Sequence, residues 1–132
     1  MINRKKKIVI VGGGLAGLAL AMKFCERNGE ATVVSYQSLK RSHSVCAQGG
    51  INAAIDAKNE GDTPEKHFYD TIKGGDFLAH QPLVRDMCYQ GPTIIHLMDR
   101  MGVAFNRTGE GHLDFRRFGG TLYNRTAFAG AT

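Results

Sequence analysis

Four β-branched residues, Ile8-Val9-Ile10-Val11, run directly into Gly12-x-Gly14-x-x-Gly17, and this junction restricts the fold more than any other stretch. A short β-branched run is what a strand buried in a parallel sheet requires. In this context Gly12 permits a tight turn, Gly14 lets the backbone approach a pyrophosphate, and Gly17 lets helix and strand pack closely. A helix is predicted from Leu15 to Asn28, with Leu15, Leu18, Ala19, Met22 and Cys25 on one face and Asn28-Gly29 as its stop. Its N-terminus offers free N–H groups and partial positive charge to phosphate. "ATVVS" at 31–35 reads as a second strand. Strand, glycine turn, helix and strand form the opening half of a βαβ dinucleotide fold.

The start of the chain also imitates a secretory signal. Arg4, Lys5, Lys6 and Lys7 precede fifteen uncharged residues, Ile8 to Met22. The four glycines of the fingerprint, the absence of a small-residue cleavage site and the helical continuation through Lys23, Glu26 and Arg27 argue against export. The run is also too short and glycine-rich to span a bilayer. The formal charge of +5 comes largely from that tail and from Arg116 and Arg117. No aromatic residues interleave with these charges, so a solvated tail is expected and not a nucleic-acid surface. Cys25, Cys46 and Cys88 form an odd set without CxxC spacing, which fits a reducing compartment better than a disulfide framework or zinc site. Five scattered histidines show no metal-ligand spacing, so no metal is expected.

Beyond the second strand the periodicity changes. Residues 36–50 read as a loop, followed by a short helix near 51–57. Asp62 or Thr63 can cap a helix beginning at Pro64, with Glu65 favouring its positive end. Phe68 and Ile72 lie on its core face, and Gly74-Gly75-Asp76 ends it. From Pro82 to Met101 apolar residues recur at helical spacing, interrupted by "QGP" at 90–92. Two helices and one broken helix both fit. "VAF" at 103–105 and "HLDF" at 112–115 predict a small hairpin. The sequence then stops without a closing signal, so an incomplete domain is expected. The fold class is α/β: the N-terminal portion of a Rossmann-like domain, with the βαβ opening followed by helices and a hairpin.

The identity of the dinucleotide is less direct. An acid normally binds the adenosine ribose at the end of the second strand, but Ser35 stands there and Glu30 is at the wrong end. The segment "KRSHSVCAQGG" at 40–50 has no role in a plain NAD fold. A histidine between two serines in a loop is, taken alone, a solvated side chain.

Its neighbours change that. "RSHSVCAQGGINAA" resembles the flavin-attachment segment of succinate dehydrogenase and fumarate reductase flavoprotein subunits. "GDTPEKHFYDTIKGGDFLAHQPLVRDMC", "IIHLMDRMGVAFNRT", "LDFRRFGGT" and "RTAFAGAT" are similar to further blocks of that family, in order. The resemblance covers nearly the whole chain and is closest to the bacterial, menaquinone-linked branch. It implies that FAD is bound by Gly12, Gly13, Gly14, Leu15, Ala16, Gly17, Ser35, Arg41, Ser42, His43, Ser44, Ala47, Gln48, Gly49 and Gly50. His43 matches the histidine that carries FAD covalently through the flavin 8α-methyl carbon. Gly49 and Phe118 match positions near the dicarboxylate, with Phe118 expected against its central carbons. Serine is common in the family at the position of Ser35, so the missing acid fits as well.

The resemblance also implies an iron–sulfur subunit and a membrane cytochrome b or anchor subunit as partners, no nucleic acid, and a place at the cytoplasmic face of the cell membrane. The family's flavoprotein is several times longer. Residues 1–132 are thus expected to be the N-terminal part of its FAD-binding domain. The rest of that domain, the capping domain, the proton-donating arginine and the substrate-binding histidines are expected beyond Thr132, with no catalytic residue in this stretch and no turnover by it alone. An unprotonated imidazole is a suitable nucleophile for a flavin methyl, and the tethered flavin is the stronger oxidant that a CH₂–CH₂ substrate demands.

Two other readings stay open. One is a non-covalent flavoenzyme such as L-aspartate oxidase or soluble fumarate reductase, which generally lacks the Ser-His-Ser context; the other is an inactive truncated product. Cys46 is expected to be a small packed residue. Arg116 and Arg117 could bind a carboxylate, with at least one facing solvent. His67, His80, His96 and His112 are read as structural or exposed.

Overall fold

The computed structural model describes residues 5–130. Arg4 of the basic tail and Ala131 and Thr132 of the last family-like block lie outside them. The chain divides into two compact units, one ending at Ala47 and one beginning at Gln48.

In the first unit, β1 (Lys7–Val11) pairs in parallel with β2 (Glu30–Val34), in a register that sets Lys7 against Glu30 and Val11 against Val34. Both strands are β-branched over most of their length, which suits a pleated sheet. They are joined by α1 (Leu15–Glu26), which carries leucine, alanine and methionine through most of its length. Asn28 adopts a left-handed φ of 59°, and Gly29 lies so close to Phe24 that a Cβ there would be 2.2 Å from the ring. These two residues end the helix where the sequence predicts. No residue of α1 is buried within the structure, including the apolar face that begins at Leu15.

The predicted loop at 36–50 holds more structure than expected. A single 3-10 turn covers Leu39–Arg41, and α2 is one turn, His43–Cys46, with Ser42 as its extended N-cap.

The second unit is built on three two-residue strands. β3 (Ile51–Asn52) and β4 (Phe115–Arg116) flank β5 (Thr126–Ala127), and both pairings are antiparallel. The short helix expected near 51–57 is therefore absent. Ile51 and Asn52 are claimed instead by Ala127 and Thr126, and Gly50 explains the close fit. With φ +98°, a Cβ on Gly50 would sit 2.3 Å from the Ala127 carbonyl oxygen, which excludes every other residue. Ala53, Ile95, Phe105, Phe115 and Ala127 form the core.

α3 (Pro64–Gly74) starts as expected. The Thr63 hydroxyl accepts from Lys66 N–H, Pro64 occupies the first turn, and Ile72 is buried while Phe68 is half-buried. Asp62, the other candidate cap, is used elsewhere, as described below. α4 (Gln81–Arg100) runs unbroken through Pro92. Its buried positions, Cys88 and Ile95, lie seven residues apart, two turns down one face. Gly91 faces Ala53, where an added Cβ would make ordinary contact with the alanine methyl at 3.4 Å. The predicted hairpin keeps its second arm within 112–115, but its first arm lies at 106–108 and not at 103–105. Thr108 N–H donates to His112 C=O and Asp114 N–H to Asn106 C=O, while Phe105 bridges to Ala129.

Candidate functional site

The glycine turn is fixed by contacts that exclude side chains. Gly12 has φ +117°, a conformation L side chains rarely adopt, and a Cβ built there meets nothing within 4 Å. A Cβ on Gly17 would lie 2.0 Å from the Gly12 carbonyl oxygen, so helix and turn are in backbone contact. Gly13 is covered on one side by Leu39 and by Ser35, whose Oγ would be 3.0 Å from a Cβ on it. Ser35 therefore sits beside the turn, at the end of β2.

The first-turn N–H groups of any helix lack intrahelical acceptors. Here Gly14 is the N-cap and has no side chain to supply one. Ser44 does so instead: its Oγ accepts from Leu15 N–H at 3.0 Å. The same oxygen would lie 3.3 Å from a Cβ on Gly14. A single serine thus ties the α2 turn, with His43 as its first residue, to the N-terminus of α1. Sequence reasoning placed Ser44 near a flavin but missed its role as a cap, which no local signal could reveal across 29 residues. His43 is exposed, as are Arg41, Ala47, Leu15 and Ala16, while Ser42 is half-buried. The Arg41 carbonyl is held by Gln37 Nε2 at 2.8 Å.

An open glycine turn, a helix N-terminus aimed from it and an exposed imidazole on the segment capping that helix fit a dinucleotide carrying a reactive ring. Cys46 is exposed and not packed, contrary to expectation.

In the second unit, Gln48, Gly49 and Gly50 lead into β3. Gly49 lies against Phe118, whose Cε1 would be 2.8 Å from a Cβ there. Phe118 remains 49% exposed, so part of the ring is open. The Arg116 guanidinium lies over two rings, 4.3 Å from the centroid of Phe128 and 5.0 Å from that of Phe118. Its Nη2 donates to the Gly49 carbonyl at 3.4 Å. Arg117 points away to Glu60, 3.2 Å distant and exposed. Of the two arginines, one faces solvent as expected and the other stacks on aromatic rings. Glu60 also accepts from Asn124 N–H and Nδ2 at 2.8 and 2.7 Å. The Asn124 amide bonds lead the interactions, Arg117 included, that hold its carboxyl below the usual range.

Sequence reasoning also missed a buried charge cluster. Arg125, 1% exposed, donates to both oxygens of Asp62 at 3.0 and 2.6 Å and to Asp70 at 3.0 Å. His67, 5% exposed, faces the same cluster, and its Nδ1 has no hydrogen-bond partner. Burial, helped by the Arg125 charge, pushes the His67 pKa down against the opposing pull of Asp62 and Asp70. Asn52, His67, Asp70, Lys73, Thr121 and Arg125 line a cavity of about 560 Å³. Among the described residues, no three His, Cys, Asp or Glu side chains converge to hold a metal, and no helix is long and apolar enough to cross a membrane.

Comparison with known proteins agrees with this geometry. Residues 7–132 match the model of a family described as FAD binding domain. The chain is 61% identical over 128 residues to the succinate dehydrogenase flavoprotein subunit of Bacillus subtilis (strain 168), covering 97% of this chain and 22% of that protein. Among solved structures it matches the Mycobacterium smegmatis Sdh1 complex in its apo form with a TM-score of 0.89 and 32% identity, over 96% of this chain and 22% of that one. The E. coli quinol fumarate reductase FrdA E245Q mutant matches with a TM-score of 0.81 and 34% identity, over 94% and 22%. The chain spans about a fifth of the length of these relatives.

Proposed function

The chain belongs to the FAD binding domain family, and from that premise we propose that it is the FAD-binding N-terminal segment of a flavoprotein subunit that interconverts succinate and fumarate and passes electrons to an iron–sulfur subunit. The bond from Leu15 N–H to Ser44 Oγ is the observation that carries this reading. It sets the histidine-bearing turn at the place where a fingerprint helix receives a pyrophosphate, which a plain nucleotide-binding loop has no reason to do.

Bound FAD supplies the redox chemistry, accepting or delivering a hydride equivalent. The residues of this chain bind and orient. The Gly12–Gly17 turn and the first-turn N–H groups of α1 beyond Leu15, whose own N–H is held by Ser44, would receive the phosphates. Ser35 would offer a hydroxyl to the ribose, and His43 would anchor the flavin covalently. Arg41, Ser42, Ser44 and Ala47 belong to the same binding segment. Gln48, Gly49 and Gly50 present backbone to the flavin, and Phe118 offers its open ring to the methylenes of the dicarboxylate, beside Gly49. The identity to a succinate dehydrogenase flavoprotein subunit supports partnership with an iron–sulfur subunit and a membrane anchor subunit, and attachment through them to the cytoplasmic face of the membrane. Residues outside this stretch complete the FAD domain, the capping domain and the catalytic set.

The test is the intact mass of the denatured, full-length flavoprotein expressed with its partner subunits. A gain of one FAD, mapped to the peptide holding His43 and lost in His43→Ser, is expected. A folded, yellow protein without the adduct would point to a non-covalent flavoenzyme and return His43 to an ordinary loop histidine.

A further inference from the structure

We infer that Arg116 is a positioning residue for the dicarboxylate, acting through Phe118 and not by touching the ligand; this rests on the proposed placing of the substrate beside Gly49 and Phe118. Among the described residues, two rings and one carbonyl converge on that arginine. Its guanidinium lies over the Phe118 ring and over the Phe128 ring, and its Nη2 holds the carbonyl of Gly49. Gly49 in turn meets the edge of the Phe118 ring, where an added Cβ would lie 2.8 Å from Cε1 and force the ring to shift. Arginine, glycine and phenylalanine therefore form a closed triangle, and the second ring keeps the guanidinium from swinging away.

The arrangement has a chemical use. An aromatic face carries negative quadrupole density and so disfavours an approaching anion. A guanidinium stacked on the ring offsets that density and fixes the ring plane, so Phe118 can pack on the carbons of a dianion at less electrostatic cost. An ammonium can also sit over a ring, as Lys66 does over Tyr123, but it lacks the planar fork that covers two rings and reaches the Gly49 carbonyl at once.

The experiment is a titration of the full-length, FAD-loaded flavoprotein with malonate, a dicarboxylate without an oxidisable CH₂–CH₂ unit, followed by the flavin absorbance shift. Arg116→Met and Phe118→Leu are each expected to weaken malonate about tenfold, with flavin content unchanged. The double variant is expected to bind no more weakly than Phe118→Leu alone, because both remove one shared effect. Arg116→Lys is expected to stay close to Arg116→Met, and it carries the same cycle if the methionine variant does not fold. Additive losses, or unchanged binding in the arginine variants beside a weakened Phe118→Leu, would overturn the inference alone. Unchanged binding in Phe118→Leu would overturn the placing of the dicarboxylate, and the inference with it.

Discussion

The backbone N–H of Leu15 donates to the hydroxyl of Ser44 at 3.0 Å, so the first turn of α1 is capped by a residue 29 positions downstream. A side-chain cap of this kind contributes about 0.5–2 kcal/mol to stability. Ser44→Ala is expected to lower the stability of the flavoprotein by about that amount. It should also reduce the fraction of protein that retains FAD, since the histidine turn loses its attachment to the helix. Denaturant midpoints and the flavin-to-protein absorbance ratio read the two effects separately.

The fingerprint glycines differ in what they forbid. A methyl at Gly17 would overlap the Gly12 carbonyl at 2.0 Å, so Gly17→Ala must move the helix off the turn. FAD binding should be lost. Gly12→Ala has open space around it and is penalised by its φ of +117°, by about 1–3 kcal/mol. That variant should retain more flavin than Gly17→Ala when both are purified without added FAD.

Arg125 is buried with two carboxylates on it. Removing the cation strands the buried Asp62, a loss of about 3–5 kcal/mol for a broken buried pair. Arg125→Met should therefore unfold at much lower denaturant. Arg125→Lys should recover only part of the difference, because an ammonium cannot reproduce the two-pronged bond to Asp62.

His67 gives stability a pH dependence with a definite sign. Its folded pKa lies below the ordinary 6.5, because burial and Arg125 disfavour the cation. As pH falls through about 6.5, the unfolded chain takes up a proton that the folded chain refuses, and stability drops until the folded pKa is reached. The stability lost between about pH 7 and about pH 5 should be larger in the native protein than in His67→Gln. Thermal midpoints across that range, compared between the two proteins, test it.

The parts legible in the sequence are those encoded by near neighbours. β1, the glycine turn, α1 and its Asn28-Gly29 stop each follow from a short window, as do Thr63 and Pro64 at the start of α3. Residues 51–52 were not legible as strand. "INAAIDA" has the alanine content of a helix, and its strand partner, β5, lies more than seventy residues on. Pro92 left α4 open between one helix and two, and the helix runs unbroken through it. The pairing of Arg125 with Asp62 and Asp70 has no local signature either. At the site, the glycine turn and the histidine segment stood out as patterns. Their junction at Ser44 and the stacking of Arg116 on two rings are products of tertiary packing.

The sheet order β3-β5-β4 has a consequence for how this protein is made. The central strand is the last of the three to leave the ribosome, and Asn52 finds Thr126 only after 74 further residues have been added. At ordinary synthesis rates that interval is about 4–15 s. Throughout it, Ile51 and Asn52 have no strand to pair with, and Asp62 has no Arg125. During this wait a nascent chain is most exposed to wrong pairing. A holding chaperone, or a pause in translation soon after Ala127 emerges, would matter more for this unit than for the β1-α1-β2 unit, whose partners follow one another within a single turn-and-helix.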